Sequence, residues 1–222
     1  MKYFLLALLF SLLFFTTTSA QEQKHSTFYE QRVSLFEVLP TDPQDIIFLG
    51  NSITNGCEWG ELFQDIRIKN RGISGDVTLG VYDRLEPVLK GRPAKLFLLI
   101  GINDLAKGIP ADTIARNIWM ILQKIQRESP TTKLYLQSVL PVNDCYGKFK
   151  DHTSKGKEAA YLNGLLRSIA RETQSTYIDL WSSFADPASG KMKPIYTNDG
   201  LHLLGNGYLL WRKMILPYIQ EK

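Results

Sequence analysis

The segment Lys95-Leu96-Phe97-Leu98-Leu99-Ile100-Gly101-Ile102-Asn103-Asp104 carries five consecutive apolar residues, closed by glycine and followed by two polar side chains. A short, unbroken apolar run of this kind is typical of a strand buried on both faces of a parallel sheet. Asn103 and Asp104 then lie just beyond the strand end. This segment predicts both a fold class and a place where polar side chains gather.

Four more segments have strand character, and helical patterns separate them. The strand segments are 45–50, 66–70, 133–139 and 176–180, and apolar residues recur at helical spacing in 78–89, 114–125, 162–169 and 208–219. Alternating strands and helices require right-handed crossovers, which cover both faces of a parallel sheet. We therefore predict an α/β fold: a flavodoxin-like three-layer α/β/α sandwich with a five-stranded parallel sheet in the order 2-1-3-4-5.

The composition is that of an ordinary globular protein. The 222 residues include 26 basic and 22 acidic side chains, a formal charge of +4, and 44% hydrophobic residues. No block of basic residues accompanies this charge, so we expect no nucleic-acid partner. Cys57 and Cys145 lack the spacing of a structural zinc site. In an exported protein they could form a disulfide, and two free, buried thiols are the alternative.

The N-terminus has the layout of a secretory signal peptide. Lys2 precedes an almost unbroken apolar run over 3–15, and small polar residues lead to Ala20. A run of this length is too short for a membrane-spanning helix, which needs ~20 residues, so an anchor is the weaker interpretation. We expect a signal peptide at 1–20 and one domain at 21–222. The product would be exported, periplasmic or released, without stable membrane insertion.

Three loops at one edge of the predicted sheet combine glycine with small polar residues. They are 50–56, 71–76 and 101–104, each directly after a strand. Any one of them is typical of a simple turn. Ligands, however, bind outside the carboxyl ends of parallel strands, so three such loops at one edge predict a binding site.

One of the three histidines lies in an acidic context. His202 follows Asp199 by three positions, whereas His25 lies near the N-terminus and His152 lies in a polar loop. An acidic partner on Nδ1 would fix the imidazole tautomer and leave Nε2 free as a base. A surface Asp–His pair that caps the last helix is the alternative.

Four segments together resemble the sequence blocks of the SGNH (GDSL-like) hydrolases. In family order they are Leu49–Ser52, Gly72–Asp76, Gly101–Asp104 and Asp199–His202. The resemblance extends over residues 45–210. The first block departs from the commonest pattern, because Asn51 stands where aspartate is usual. Gly50 and Thr54 flank the serine, so the GxSxG elbow of α/β-hydrolases is absent.

The resemblance implies a serine esterase that works through an acyl-enzyme. Ser52 would be the nucleophile, His202 its base and Asp199 the group that orients the imidazole. The oxyanion hole would use the backbone N–H groups of Ser52 and Gly75 and the side chain of Asn103. One such donor is typically worth ~2.7–4 kcal/mol. No cofactor and no metal ion is implied.

Trp59, Asp76 and Asp104 have weaker assignments. Trp59 could bind substrate by stacking on a sugar ring, or could belong to the core. Asp76 could also contact substrate, or tie its loop to the backbone. We expect Asp104 to be structural.

Within the family the blocks look most like the platelet-activating-factor-acetylhydrolase branch, which implies short acyl groups, acetyl above all. The segment 143–157 is polar and basic rather than an apolar lid. We therefore expect a small-molecule or glycan ester as substrate, with acetylated carbohydrate favoured. A lysophospholipase-type enzyme and a catalytically silent glycan-binding module are the alternatives. A metal hydrolase is disfavoured because HxxH-type ligand spacing is absent. The oligomeric state is open.

Overall fold

The computed structural model describes residues 25–221, so the predicted signal peptide lies outside the described residues. Five parallel strands form one sheet in the order β2-β1-β3-β4-β5, which confirms the predicted order 2-1-3-4-5. The strands are β1 (Ile46–Gly50), β2 (Ile68–Gly72), β3 (Lys95–Leu99), β4 (Lys133–Gln137) and β5 (Thr176–Ile178).

Eleven α-helices occur in the described part of the chain. They are α1 (Thr27–Val38), α2 (Ser52–Asn55), α3 (Trp59–Phe63), α4 (Thr78–Asp83), α5 (Leu85–Leu89), α6 (Ile102–Ala106), α7 (Ala111–Glu128), α8 (Lys150–Thr153), α9 (Gly156–Glu172), α10 (Trp181–Phe184) and α11 (Gly205–Gln220). Two short 3₁₀ segments cover Asp144–Tyr146 and Pro194–Tyr196. Across residues 25–221, none of the helices combines the length and the apolarity that crossing a bilayer requires.

The helices cover both faces of the sheet, as the α/β/α prediction required. Helix α7 packs against α4 and α9, whereas α3 packs against α11. Right-handed crossovers explain this division, because the β1-to-β2 connection runs opposite to the others and places α3 on the other face. All five strands therefore end at one edge with their carboxyl ends together.

Stacked aromatic rings fill the face of the sheet beneath α3 and α11. Phe48, Phe97 and Tyr135 occupy paired positions on β1, β3 and β4, with ring centroids 5.0 and 4.3 Å apart. Trp59 stacks on Phe48 at 4.2 Å and meets Trp211 of α11 edge-on at 4.8 Å. The Trp59 indole N–H also donates to the Thr54 carbonyl at 2.8 Å, which fastens the end of α2 to this core.

Two helical features differ from the sequence expectation. Helix α1 was not predicted, because only Tyr29 and Phe36 of its twelve residues are buried and no apolar stripe marks it. The helix expected over 78–89 is two helices that meet at Arg84. Arg84 itself lies outside both helices, with φ −98° and ψ 20°, and its side chain is buried.

The two cysteines are free thiols, Cys57 buried and Cys145 exposed. Burial, followed by the neighbouring Glu58 carboxylate, raises the pKa of the Cys57 thiol to about 12. A protonated, buried thiol is a poor nucleophile, so Cys57 is a packing residue.

Arg84 joins three pieces of chain at the carboxyl edge of the sheet. Its Nε donates to Asp76 Oδ2 at 2.8 Å, and its two other nitrogens donate to the carbonyls of Arg71 (2.9 Å) and Gly50 (3.1 Å). Both side chains of this ion pair are excluded from water, with 0% and 1% exposure. Burial raises the pKa of Asp76, and the Arg84 guanidinium opposes that shift. The buried Asp76 carboxylate therefore depends on the Arg84 guanidinium for its stability.

Replacing Arg84 by leucine should lower the free energy of unfolding by about 3–5 kcal/mol, because the change leaves a buried carboxylate and two buried carbonyls without their donor. Urea unfolding followed by circular dichroism measures this loss. The matched control is Arg67→Leu, which breaks a pair whose arginine is 51% exposed and should cost less than about 1 kcal/mol. Equal losses in the two variants would contradict the proposed importance of the buried pair.

Candidate active site

Ser52 opens α2 directly after β1. The side chain of Asn51 caps this helix, since Asn51 Oδ1 accepts the Ile53 N–H at 3.0 Å. The asparagine that replaces the usual aspartate therefore still ties down the turn. Helix α2 lies close against the end of β2, where a Cβ on Gly72 would come within 2.3 Å of the Asn55 nitrogen. A residue without a side chain at this point lets the serine sit at the sheet edge.

Asp199 and His202 meet in the turn before α11. Asp199 Oδ1 accepts the backbone N–H groups of Leu201 and His202, each at 2.8 Å. Asp199 Oδ2 lies 2.8 Å from His202 Nδ1, and His202 Nε2 lies 3.1 Å from Ser52 Oγ. Three side chains that the sequence spreads over 150 positions thus form one hydrogen-bonded chain.

The charge of Asp199 sets the direction of these hydrogen bonds. Burial raises the pKa of this carboxyl, but the backbone N–H groups of Leu201 and His202, and then the imidazole, outweigh burial and lower it. An ionised carboxylate only accepts, so Nδ1 of His202 carries the proton of the neutral ring. Nε2 then presents its lone pair to the hydroxyl of Ser52.

Thr197 and Gly200 shape this turn, and neither was singled out from the sequence. The buried Thr197 hydroxyl accepts the Gly200 N–H at 2.9 Å. Gly200 has a φ of +86°, and an added Cβ would lie 1.8 Å from the Asn143 carbonyl oxygen. Glycine is required there both for the left-handed backbone and for the close approach.

Gly75 and Asn103 reach the same edge from the two strands that flank β1. Gly75 follows β2 with a φ of +80°, is exposed, and has nothing within 4 Å of where a Cβ would stand. Asn103 follows β3 within α6, is 6% exposed, and donates from Nδ2 to the Asp76 carbonyl at 2.8 Å. The amide and the Gly75 loop are therefore directly connected.

The structure contradicts both expected substrate contacts. Trp59 is 1% exposed, and its ring packs in the aromatic core, so it has no face to offer a sugar. The Asp76 carboxylate is buried and accepts from Arg84 and the Val77 N–H, so it holds its loop rather than a substrate. Asp104 is structural, as expected, because it accepts the backbone N–H and hydroxyl of Thr78.

His152 is a further residue at this edge for which the sequence pattern indicated no role. It lies in α8, and its Nε2 is 3.0 Å from Asn103 Oδ1. The adjacent Phe149 stands edge-on to both histidines, with ring centroids 4.9 Å from His202 and 6.1 Å from His152. Its place in the chain could have indicated a role, because the polar loop that holds His152 follows β4 and therefore lies at the same carboxyl edge of the sheet. Among residues 25–221, no group of three His, Cys, Asp or Glu side chains could hold a metal ion.

Comparison with known proteins shows the family to which the chain belongs. The model of the GDSL-like Lipase/Acylhydrolase family matches residues 48–210. Family membership, together with the α/β/α fold, defines the protein as a hydrolase of ester bonds. The chain belongs to the GDSL-like lipase/acylhydrolase family.

Three individual proteins illustrate the likeness. The platelet-activating factor acetylhydrolase IB subunit alpha2 of Rattus norvegicus is 26% identical over 171 residues, 74% of this chain and 71% of that protein. A solved structure from Streptococcus pneumonia, named for platelet activating factor, is 30% identical with a TM-score of 0.78 and covers 86% of this chain and 91% of its own. A catalytic mutant of an acetylxylan esterase from Geobacillus stearothermophilus shares the fold at 17% identity, with a TM-score of 0.65 and coverage of 82% and 97%.

Gly200→Ala should lower the hydrolysis of p-nitrophenyl acetate by about 10²-fold, because the new Cβ displaces the turn that holds Asp199 and His202. Gly190→Ala is the matched control. Gly190 has a φ of +69° but open space around its Cβ, so alanine there should cost about 1–2 kcal/mol of stability and leave the rate unchanged. Initial rates and urea unfolding measure both effects, and equal rates in the two variants would contradict the expectation.

Proposed function

We propose that this protein is a serine esterase that removes short acyl groups, acetyl above all, through Ser52, His202 and Asp199. The observation that carries the proposal is the unbroken hydrogen-bonded chain from the Asp199 carboxylate through His202 to the Ser52 hydroxyl, at 2.8 and 3.1 Å. A serine hydroxyl is a weak nucleophile unless a base lies within reach of its proton. Here the base is in place and its tautomer is set by the carboxylate.

In the proposed reaction, Ser52 Oγ attacks the ester carbonyl while its proton passes to His202 Nε2. The imidazolium that results is stabilised by Asp199, which remains ionised. The tetrahedral intermediate then collapses, the bond to the alcohol breaks, and His202 returns the proton to the leaving oxygen. Water repeats the sequence on the acyl-enzyme, with His202 as base, and releases the carboxylic acid and free Ser52.

Three donors are proposed for the oxyanion: the backbone N–H groups of Ser52 and Gly75 and the side-chain N–H of Asn103. Ser52 is the first residue of α2, so its N–H is one of those that an α-helix leaves without an internal partner. The backbone of Gly75 is exposed, and this residue has no side chain that would block the approach of a substrate to its N–H. Fixed donors of this kind stabilise the charge that develops on the carbonyl oxygen without reorganising during the reaction.

Acetylated carbohydrate is the proposed substrate class. A relative named for acetylhydrolase activity supports the acetyl group, and a fold neighbour named as an acetylxylan esterase supports the carbohydrate. The segment that borders the site, 143–157, is rich in lysine. Its polarity favours a water-soluble ester over a lipid aggregate. A lysophospholipid ester is the competing substrate, because an open groove can also accept a single acyl chain.

The first test compares p-nitrophenyl acetate, butyrate and octanoate with wild-type protein and the Ser52→Ala variant. Wild type should prefer acetate, and Ser52→Ala should lose roughly 10⁴–10⁶-fold in kcat while unfolding at the same urea concentration. Ser168→Ala, a serine on the surface of α9, is the matched control and should keep full activity. Activity that survives in Ser52→Ala refutes the nucleophile, whereas a preference for octanoate favours the lysophospholipid substrate.

We also propose that the chain is exported, with cleavage after Ala20. The support is the sequence of residues 1–20 alone, a positive start, an apolar run and small residues at its end. Expressed in a Gram-negative host, the full chain should yield a periplasmic protein that begins at Gln21, measured by fractionation and N-terminal sequencing. Deletion of 2–20 should retain the protein in the cytoplasm. An unprocessed chain in the cytoplasm would refute the proposal.

A further inference from the structure

A second imidazole lies beside the proposed oxyanion hole. His152 belongs to the connection between β4 and α9, and its half-buried ring places Nε2 at 3.0 Å from Asn103 Oδ1. It takes no part in the chain of Asp199, His202 and Ser52. Across the site it hydrogen-bonds the amide that the proposed mechanism uses as a donor.

The hydrogen bonds of Asn103 settle which atom faces which partner. The Asp76 carbonyl oxygen can only accept, so the amide nitrogen of Asn103 faces it at 2.8 Å. The amide oxygen then faces His152, and because that oxygen also only accepts, Nε2 of His152 must carry a proton. With its oxygen and one N–H committed, Asn103 has one N–H left, in a fixed direction.

The surroundings favour a neutral His152. Burial, followed by the nearby His202, lowers the pKa of His152, and Asp151 opposes this shift. A neutral ring with the proton on Nε2 donates to Asn103 without placing a positive charge beside His202. This matters because His202 itself becomes positive when it takes the proton of Ser52.

The backbone holds the ring in this place. Phe149, with a φ of +48°, turns the chain into α8, and its ring contacts both imidazoles edge-on. The buried Thr153 hydroxyl donates to the carbonyls of Lys148 (3.1 Å) and Phe149 (3.2 Å) and closes the turn on itself. His152 is therefore presented by a short, internally bonded element.

We propose that His152 is a positioning residue of the active site: its Nε2–H holds the Asn103 amide so that the free N–H of Asn103 points at the developing oxyanion. This inference rests on the proposed function, in which Asn103 is an oxyanion donor. It adds a residue from a fourth loop, the one after β4, to a site that otherwise uses the loops after β1, β2 and β3 and the turn before α11.

The kinetic test uses His152→Leu and His152→Gln with p-nitrophenyl acetate. Leucine removes the donor and should lower kcat about tenfold with an unchanged KM, since the lost hydrogen bond acts in the transition state. Glutamine retains a neutral N–H donor and should recover at least half of the wild-type kcat. His25→Leu, which alters a histidine paired with Asp83 on the surface, is the control and should leave both constants unchanged. A higher KM with unchanged kcat in His152→Leu would overturn the proposal in favour of substrate binding.

A double-mutant cycle separates positioning from a general structural role. If His152 acts through Asn103, His152→Leu should have no further effect on kcat in an Asn103→Ala background. The same tenfold loss in both backgrounds would overturn the proposal. Wild type and Ser52→Ala measured alongside show whether the proposed function itself holds.

A readout independent of turnover completes the test. Imidazole ¹⁵N chemical shifts at neutral pH should show His152 as the Nε2–H tautomer, and His202 as the Nδ1–H tautomer. The Asn103→Ala variant should perturb the nitrogen shifts of His152. A proton on Nδ1 of His152, or shifts that Asn103→Ala leaves unchanged, overturns the inference whether or not the ester is hydrolysed.

Discussion

The guanidinium of Arg84 lies without solvent contact between the ends of β1 and β2, where it donates to the carbonyls of Gly50 and Arg71 and to the carboxylate of Asp76. Gly50 immediately precedes the turn that presents Ser52, and Asp76 immediately follows Gly75. A single side chain therefore sets the spacing between the serine and the loop beside it. The aromatic ring of Phe36 on α1 closes this arrangement, with the Arg84 and Arg71 guanidinium carbons 5.8 and 4.9 Å from its centroid.

Asp76 and the residues after it also connect the loop after β2 to the loop after β3. The Asp76 carbonyl accepts from Asn103, while the next residue of α6, Asp104, accepts from Thr78 at the start of α4. The loops after β2 and β3 are thus tied to each other by the Asn103 amide on the Asp76 carbonyl and by the Asp104 carboxylate on the N–H and hydroxyl of Thr78. Because every one of these groups is buried, the positions of the donors follow from the packing of the sheet edge and need no ligand to form.

The sheet is largely predictable from sequence because β1, β3 and β4 are short apolar runs followed by glycine or proline, a pattern that depends only on neighbours in the chain. The ends are less predictable: the fourth strand, expected over 133–139, stops at Gln137, since Val139 turns to bond the Asn163 side chain. The pairing of Ser52, Asp199 and His202 is predictable through the family blocks. Trp59 illustrates the limit, because the stacking of its ring on Phe48 depends on tertiary packing that no local pattern reveals.

His152 was missed for the same reason, since its partner Asn103 lies 49 positions away. The segment that holds His152 also differs from the other loops at the carboxyl edge of the sheet. The loops after β1, β2 and β3 are short and locked by buried groups, whereas the connection from β4 to α9 reaches over the site. It is held by Asn143, which bonds the Gly200 and Met192 carbonyls at 2.8 Å each. Within this segment Phe149 is 45% exposed, and its ring contacts the ring of His202. The groups that hold the loops after β1, β2 and β3 are buried, so the segment after β4 contributes an exposed side chain beside the Ser52–His202 pair because Phe149 faces both solvent and His202.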